Sequence, residues 1–469
     1  MRKPYPPSLV DLPSVAESTY PVEERTYPLG ERTCAHQGGE AAELGRRQTV
    51  RMRETVCYVS QVYHPENVGV ACWVAEELER IGWDVTVLTG VPNYPTGVVP
   101  DGYRADRASR EEIDGIEVRR TPLYPSHDDS PMGRMLNYTS WALSSTYYGI
   151  GDIRRAGLAV VHSTPVTANL APMVARVLFR TPYVTMIMDL WPDSVFQSGF
   201  LTSGPVNRIA NAVLGTFAKW SYRLASHVTV LSPSMKQVLV GRGVREEKIS
   251  LVYNWVDESL FASPAEPDPT LRASLGLTGD DFVAMYAGAH GIPQGLGVLI
   301  EAAARIDPAE RIHIVTVGDG IDGERLRALA DELGVTDRVH FLGRRPMATM
   351  PSLLATADLQ LVCISDTPLF RVNMPSKIPS LLAGGHPVLV VAEGDPADVV
   401  TAADAGLAAS PTDPAAVATT LRQARAAGAD MLREMGHRGR ELYEREMSSA
   451  IGGARLTEIL RTAKRKGRT

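Results

Sequence analysis

Strand-length apolar runs alternating with helix-length segments restrict this chain most, and the clearest unit of that pattern is Asn373–Ala392, NMPSKIPSLLAGGHPVLVVA. Ser376 is the expected N-cap of a short helix, which puts Pro379 in the first turn, where a missing N–H costs nothing. Gly384 and Gly385 stop the helix, and His386–Ala392 continues as a strand with almost no polar residue, as strands buried on both faces do. Leu359–Ile364 (LQLVCI) is a second apolar run just before it. A helix start that follows a strand presents free backbone N–H groups and the positive end of the helix dipole. Lys377 adds a charge there, so the stretch reads as a candidate phosphate site. Taken alone, Lys377 reads equally well as a solvated first-turn lysine.

The alternation begins at Glu54. ETVCYVS is a strand, YHPENVGVACWVAEELERIGW a loop leading into a helix, and DVTVLTG the next strand, which makes one β-α-β unit. Strands at Ala159–Ser163, PYVTMIMDLWPDS, His227–Ser232 and ISLVYN follow. The helices expected between them are Ala168–Phe179, Val206–Ala225 and Ser234–Arg242. This describes a doubly wound α/β domain over 53–257, in which ligands bind at the carboxyl ends of the strands. Asp189 and His162 sit at two such ends. The Pro- and Ala-rich stretch within 258–269 reads as a linker. A second α/β series covers 270–440, and 441–469 is helical with the basic end KRKGRT. That end reads as a solvated tail or as a weak attraction to an anionic membrane surface. Residues 1–52, rich in Pro, Glu and Arg without a sustained period, read as a disordered extension or as a start codon assigned ahead of Met52.

Composition removes several function classes. The formal net charge of −6 argues against general nucleic-acid binding. The four cysteines, Cys34, Cys57, Cys72 and Cys363, are too far apart for a zinc-type pair and read as reduced thiols of a cytoplasmic protein. No apolar run approaches the roughly 20 residues needed to span a bilayer, and the opening of the chain lacks a signal-peptide pattern. HExxH, nucleophile-elbow and Walker motifs are all missing from the sequence, which removes most hydrolases and kinases. Asp319 and Asp322 have acidic spacing, but Asp322 is well explained as a helix cap.

Four elements at the strand ends of the second domain favour a nucleotide diphosphate when taken together. They are the helix start at Ser376–Lys377, the turn Gly288–Gly295 with Gln294, the cations Arg344 and Arg345 after VHFLG, and Arg371 just before the central helix. In the first domain, Gly69 in the loop after the first strand allows close approach of another group, though a tight turn explains it as well. Asp189 beside Trp191 and Pro192 could orient a sugar hydroxyl or accept its proton, against a bland reading as a cap and turn.

Read in order, YHPENVGVA, TGVPNYPTG, DLWPDS, VLSPSMK, VYNWVD, YAGAHGIPQGL, VGDG, FLGR and PSKIPSLLAGGHPV resemble the retaining GT-B glycosyltransferases, family 4-like. They are nearest the fucosamine-transferase-like branch of bacterial polysaccharide clusters. The resemblance covers the chain from Glu54 onward. It implies two Rossmann-like domains facing a central cleft, with the last helix crossing back onto the first domain. It also implies a nucleotide-diphosphate sugar, UDP-linked by family, as co-substrate in the second domain, and neither metal nor other cofactor. The first domain would bind a lipid-linked, glycan or small-molecule acceptor. Ser376, Lys377, Gly288 and Gln294 would hold the diphosphate and Gly69 would approach it from the other domain. Arg344, Arg345 and Ser380 would meet the base or ribose, Arg371, Val372 and Asn373 the donor sugar, and Asp189 and His162 the reaction itself. The wider family's two glutamates, eight positions apart, correspond here to Val372 and Ser380, and its Arg and Lys of the glycine turn to Ala289 and Gln294. These departures keep two further readings open: a lapsed homologue that binds a nucleotide or an assembly partner, and a nucleotide-sugar epimerase on the same architecture. The stretch Met132–Tyr148 reads as a helix at a membrane interface, hence peripheral membrane association, or as a buried core helix.

Overall fold

Two sheets carry the alternation. The computed structural model describes residues 53–66, 68–126, 131–194, 205–263 and 265–467, so the expected extension 1–52 and Asn67 lie outside the described residues. The first sheet has eight strands: β1 Glu54–Val59, β2 Trp83–Gly90, β3 Ser109–Ile113, β4 Ile116–Thr121, β5 Ala159–Ser163, β6 Tyr183–Ile187, β7 His227–Val230 and β8 Ile249–Leu251. They lie in the order β3-β4-β2-β1-β5-β6-β7-β8, parallel except for the β3–β4 hairpin. The second sheet has six parallel strands: β9 Phe282–Ala287, β10 Ile312–Val317, β11 Val339–Phe341, β12 Leu359–Cys363, β13 Val388–Val391 and β14 Gly406–Ala409, in the order β11-β10-β9-β12-β13-β14. Sequence reading anticipated neither the hairpin nor β14.

Helices connect the parallel strands. In the first half these are α1 Gly69–Arg80, α2 Pro131–Ala156, α3 Leu170–Phe179, α4 Pro205–Leu224 and α5 Pro233–Gly241. The second half uses α6 Gly297–Ala303, α7 Gly323–Glu332, α8 Met350–Thr356, α9 Lys377–Ala383 and α10 Asp395–Ala402. The central strands are buried along their whole length, VLVV of β13 and LQLVC of β12 among them, because helices cover both faces. Leu299, Ile314, Leu361, Leu389, Val417 and Leu421 meet in the core of the second half.

Two expected caps differ from their sequence reading. Ser376 holds the position before α9, but its hydroxyl caps no N–H. Asp322 precedes α7 without capping it; its carboxylate instead takes a bidentate contact from Arg325 at 2.6 and 2.7 Å. The guanidinium fork outcompetes a single backbone N–H for a carboxylate.

Residues from Glu54 onward form one compact unit. The chain returns to its first half through α11 Pro414–Leu442, a wide turn at Tyr443–Met447, and α12 Ser449–Gly467. Glu258, inside the stretch read as a linker, lies in a short helix and fixes that turn. It accepts from the Tyr443 hydroxyl at 2.9 Å and the Ser449 N–H at 2.7 Å. The helix α12 then lies along the first half. Thr457 accepts from the Trp83 indole at 3.1 Å, and Arg461 pairs with Glu54 at 2.8 Å. The crossing-back helix is borne out.

Candidate active site

In the second sheet, strand order reverses between β9 and β12, and such switch points open a crevice at the carboxyl ends of the strands. The glycine turn that leaves β9 fills this place and ties the neighbouring loops together. The Gly288 N–H bonds Val317 at the end of β10, the His290 N–H bonds Asp319, and Pro293 accepts from the Ser365 N–H after β12 at 2.9 Å. Gly288 has a φ of +150°, and the side-chain end of Lys377 occupies the space a Cβ would need. Gly318 has a φ of +136°, and a side chain there would strike the Gly288 carbonyl. Only glycine permits this stacking of loops.

Lys377, the first residue of α9, runs under this turn. Its ammonium donates to the Tyr286 hydroxyl and lies 3.7 Å from the centre of the Tyr286 ring. The same hydroxyl donates to the Ala289 carbonyl at 2.8 Å, so one tyrosine joins the lysine to the turn. No carboxylate pairs with Lys377 among the described residues, and burial pulls its ammonium down to about 7. A desolvated ammonium without a counter-ion is a position that an anion would stabilise. Because α9 has only seven residues, the charge of Lys377 rather than a helix dipole dominates here.

His290, not singled out from sequence, is fully buried between Tyr286 and Phe341 with both ring nitrogens unpartnered among the described residues. Burial lowers its pKa, so it is neutral near pH 7. Leaving such groups unsatisfied costs about 1–3 kcal/mol each, a cost a bound ligand can relieve. No periodicity marks it, because its isolation depends on strands from three parts of the chain.

The other expected donor residues divide into free and committed groups. Arg344 and Arg345 are exposed. Arg371 is held by Asp366 at 2.6 and 2.8 Å. Gln294 closes its own turn, accepting from the Gly291 N–H at 3.1 Å, and Ser380 donates to the Ser376 carbonyl at 3.2 Å. Val372 is buried and its carbonyl accepts from the Ser232 hydroxyl of the first half at 2.5 Å, while the Asn373 amide oxygen is buried without a partner among the described residues. Two bonds from Ser234 to Asp395, at 2.8 and 2.7 Å, complete the contact between the halves.

In the first sheet the strand order reverses between β1 and β5. There Glu66 of the YHPE segment, missed as a functional residue, accepts the N–H groups of Tyr63, Asn93 and Tyr94 at 3.1, 2.8 and 2.7 Å. It thereby staples the loop after β1 to the NYPTG loop after β2. Burial raises its carboxyl against the pull of those donors. Asn137 of α2 continues the network to Asn93 at 3.0 Å and Gln61 at 2.5 Å. Arg120, fully buried, donates to Glu111 and to the His64 carbonyl. The space beside Gly69 is filled by the Trp73 ring of its own helix. Asp189, after β6, is half-buried, and desolvation raises its carboxyl; the Thr164 hydroxyl reaches it at 3.4 Å. His162, near the end of β5, is buried, has an Nδ1 unpartnered among the described residues and is lowered to about 4, hence neutral. A neutral imidazole and a reluctant carboxylate on adjacent strands are both suited to exchange a proton with a hydroxyl.

Comparison with known proteins decides the family. Residues 69–255 match the model of the glycosyl transferase 4-like domain, and residues 267–442 match that of glycosyl transferases group 1. The chain belongs to the GT-B glycosyltransferases. Among relatives, this glycosyltransferase is 29% identical over 338 residues to WcaI of Escherichia coli, named for colanic acid biosynthesis, covering 71% of this chain and 81% of that one. It is 27% identical to the 2-deoxystreptamine glucosyltransferase of Streptomyces kanamyceticus, covering 78% and 91%. Among solved structures it shares the fold of sucrose-phosphate synthase from Thermosynechococcus elongatus, with a TM-score of 0.65, 19% identity, and coverage of 87% and 99%. The Anabaena protein HepE, solved in complex with UDP, superposes with a TM-score of 0.60 at 17% identity, covering 88% and 100%.

Proposed function

We propose that this glycosyltransferase moves a sugar, an amino sugar by its likeness to the fucosamine-transferase branch, from a UDP-sugar to a lipid-linked or glycan acceptor with retention of configuration. The observation that carries the donor reading is Lys377, an ammonium without a carboxylate partner under the glycine turn at the strand switch point. The diphosphate leaving group gains one negative charge as the bond between the anomeric carbon and its oxygen breaks, and a fixed cation there lowers that barrier. Lys377 would do this without a metal. The glycine turn at Gly288 would let the phosphates approach closely, Arg344 and Arg345 would meet the base or ribose, and His290 a donor oxygen. Asp189 and His162 would face the acceptor hydroxyl across the cleft, and α2 would hold the protein at a membrane surface. Solved complexes with UDP in HepE support the choice of nucleotide.

The test is transfer from a panel of UDP-sugars to acceptor analogues, with the anomeric configuration of the product followed by NMR. Retained configuration supports the proposal, and inverted configuration contradicts it. A second reading rests on Val372 and Ser380, which stand where the wider family has its paired glutamates: a homologue that binds UDP without turnover. Nucleotide binding with no transfer for any donor would favour that reading.

A further inference from the structure

At the amino-terminal end of the first sheet, opposite the cleft, the last turns of α2, α3 and α12 enclose a cavity of about 480 Å³ beside the starts of β1, β5 and β6. Arg154, Arg155, Arg180 and Lys464 line it, together with Thr55 and Thr181, and among the described residues no acidic side chain does. Arg155 is shared with Asp152 at 3.1 Å, and Lys464 stands 4.0 Å from Glu54. Arg154 and Arg180 have no carboxylate partner among the described residues; Arg154 lies over the Phe179 ring at 4.8 Å. Cations at helix C-termini are individually ordinary, because the dipole favours them. Their convergence on one cavity, in a chain of net charge −6, is not.

An apolar surface adjoins the cavity. The last turn of α3 exposes Val177, Leu178 and Phe179, the first two by 66% and 63%. On α2, Met132, Leu136, Leu143 and Tyr147 are exposed, Tyr147 by 79%. Their spacing puts them on one stripe of the helix, so this stripe faces outward and not into the core. The helix is about 39 Å long, and it runs from the cleft, where Tyr138 packs edge-on against Trp191 at 6.2 Å, to the basic cavity. A soluble anion would account for the cavity but not for the stripe. An acidic bilayer accounts for both, since aromatic and aliphatic side chains enter the interface while arginines meet the phosphates.

We infer that the outer face of α2 and the last turn of α3 lie on a bilayer containing acidic phospholipid, with a lipid phosphate held by Arg154, Arg180 and Lys464. This deepens the membrane part of the proposed function and does not depend on which sugar is transferred. Laid this way, the bilayer extends along α2 to the cleft, where a lipid-linked acceptor would arrive.

The test is co-sedimentation of the full chain with vesicles of phosphatidylcholine alone and of phosphatidylcholine mixed with phosphatidylglycerol. Wild type should bind only the acidic vesicles. Arg154→Glu/Arg180→Glu should weaken that binding by at least about tenfold, and Tyr147→Ser/Leu178→Ser should weaken it as well at high salt, while UDP affinity stays unchanged in both. Should the charge reversal disturb folding, Arg154→Gln/Arg180→Gln decides the same question. No binding to acidic vesicles, binding indifferent to both variants, or capture of inorganic phosphate without vesicle binding would overturn the inference. Vesicle binding without UDP binding by wild type would strike the donor reading and leave this one standing.

Discussion

The carboxyl ends of the two sheets are built in opposite ways. At the first, around the loops after β1 and β2, polar groups satisfy one another: Glu66 accepts three backbone N–H groups, Asn137 joins Asn93 to Gln61, and Arg120 is buried against Glu111 and the His64 carbonyl. His162, near the end of β5, departs from this with an Nδ1 unpartnered among the described residues. At the second, the polar groups nearest the glycine turn lack such partners. Lys377 has only a tyrosine hydroxyl and ring, and His290 has no partner among the described residues. Buried polar groups are nearly always paired in a folded chain. The loops after β1 and β2 therefore read as a rigid wall of the first end, and the second end as a site whose missing partner is a ligand.

The largest effect expected is on the wall. Glu66→Ala strands three N–H donors in the interior, at about 1–3 kcal/mol for each donor that water does not reach. Chemical denaturation should show a loss of about 3 kcal/mol or more. A loss below about 1 kcal/mol would mean that these loops do not depend on the staple.

Next comes pH at the second end. The free lysine titrates at about 7, and a bound diphosphate stabilises its charged form. UDP affinity should be highest below pH 7 and fall above it, by up to about tenfold per pH unit until the bound-state pKa is passed. Calorimetry at neutral pH in buffers of different ionisation enthalpy should register proton uptake. For stability of the free protein the sign is opposite. Because folding lowers this lysine's pKa, its charged form opposes folding below pH 7, and that penalty fades between 7 and the ordinary lysine value of 10.5. A pH-independent affinity would remove Lys377 from the phosphate.

The smallest effect should come from Arg371→Ala. The guanidinium is half-exposed and engaged with Asp366, so its removal should change stability by about 1 kcal/mol or less. UDP affinity should change little. A large loss would show that Arg371 leaves Asp366 for the donor.

Legibility followed the same division. The parallel strands announced themselves because burial on both faces makes them apolar runs, as in β12 and β13. The β3–β4 hairpin did not, because SREEI and IEVRRT carry charges whose partners lie across the pair, Arg120 with Glu111 among them. Its turn was written in the sequence all the same: Asp114-Gly115, with φ of 50° and 82°, is a strong hairpin signal. Lys377 and the glycine turn were readable from local pattern. Tyr286, His290 and Glu66 acquire their roles from segments far away in the chain, and Arg371 and Gln294 looked available only because Asp366 and Gly291 could not be placed against them.

The most direct measurement is calorimetric titration of wild type and of Lys377→Met with UDP. The account predicts binding by wild type and a loss of about 2–3 kcal/mol in the variant, roughly 30- to 150-fold, in a protein at least as stable as the parent because a desolvated ammonium is gone. Equal affinity in the two proteins, or no binding by wild type to UDP, would contradict it.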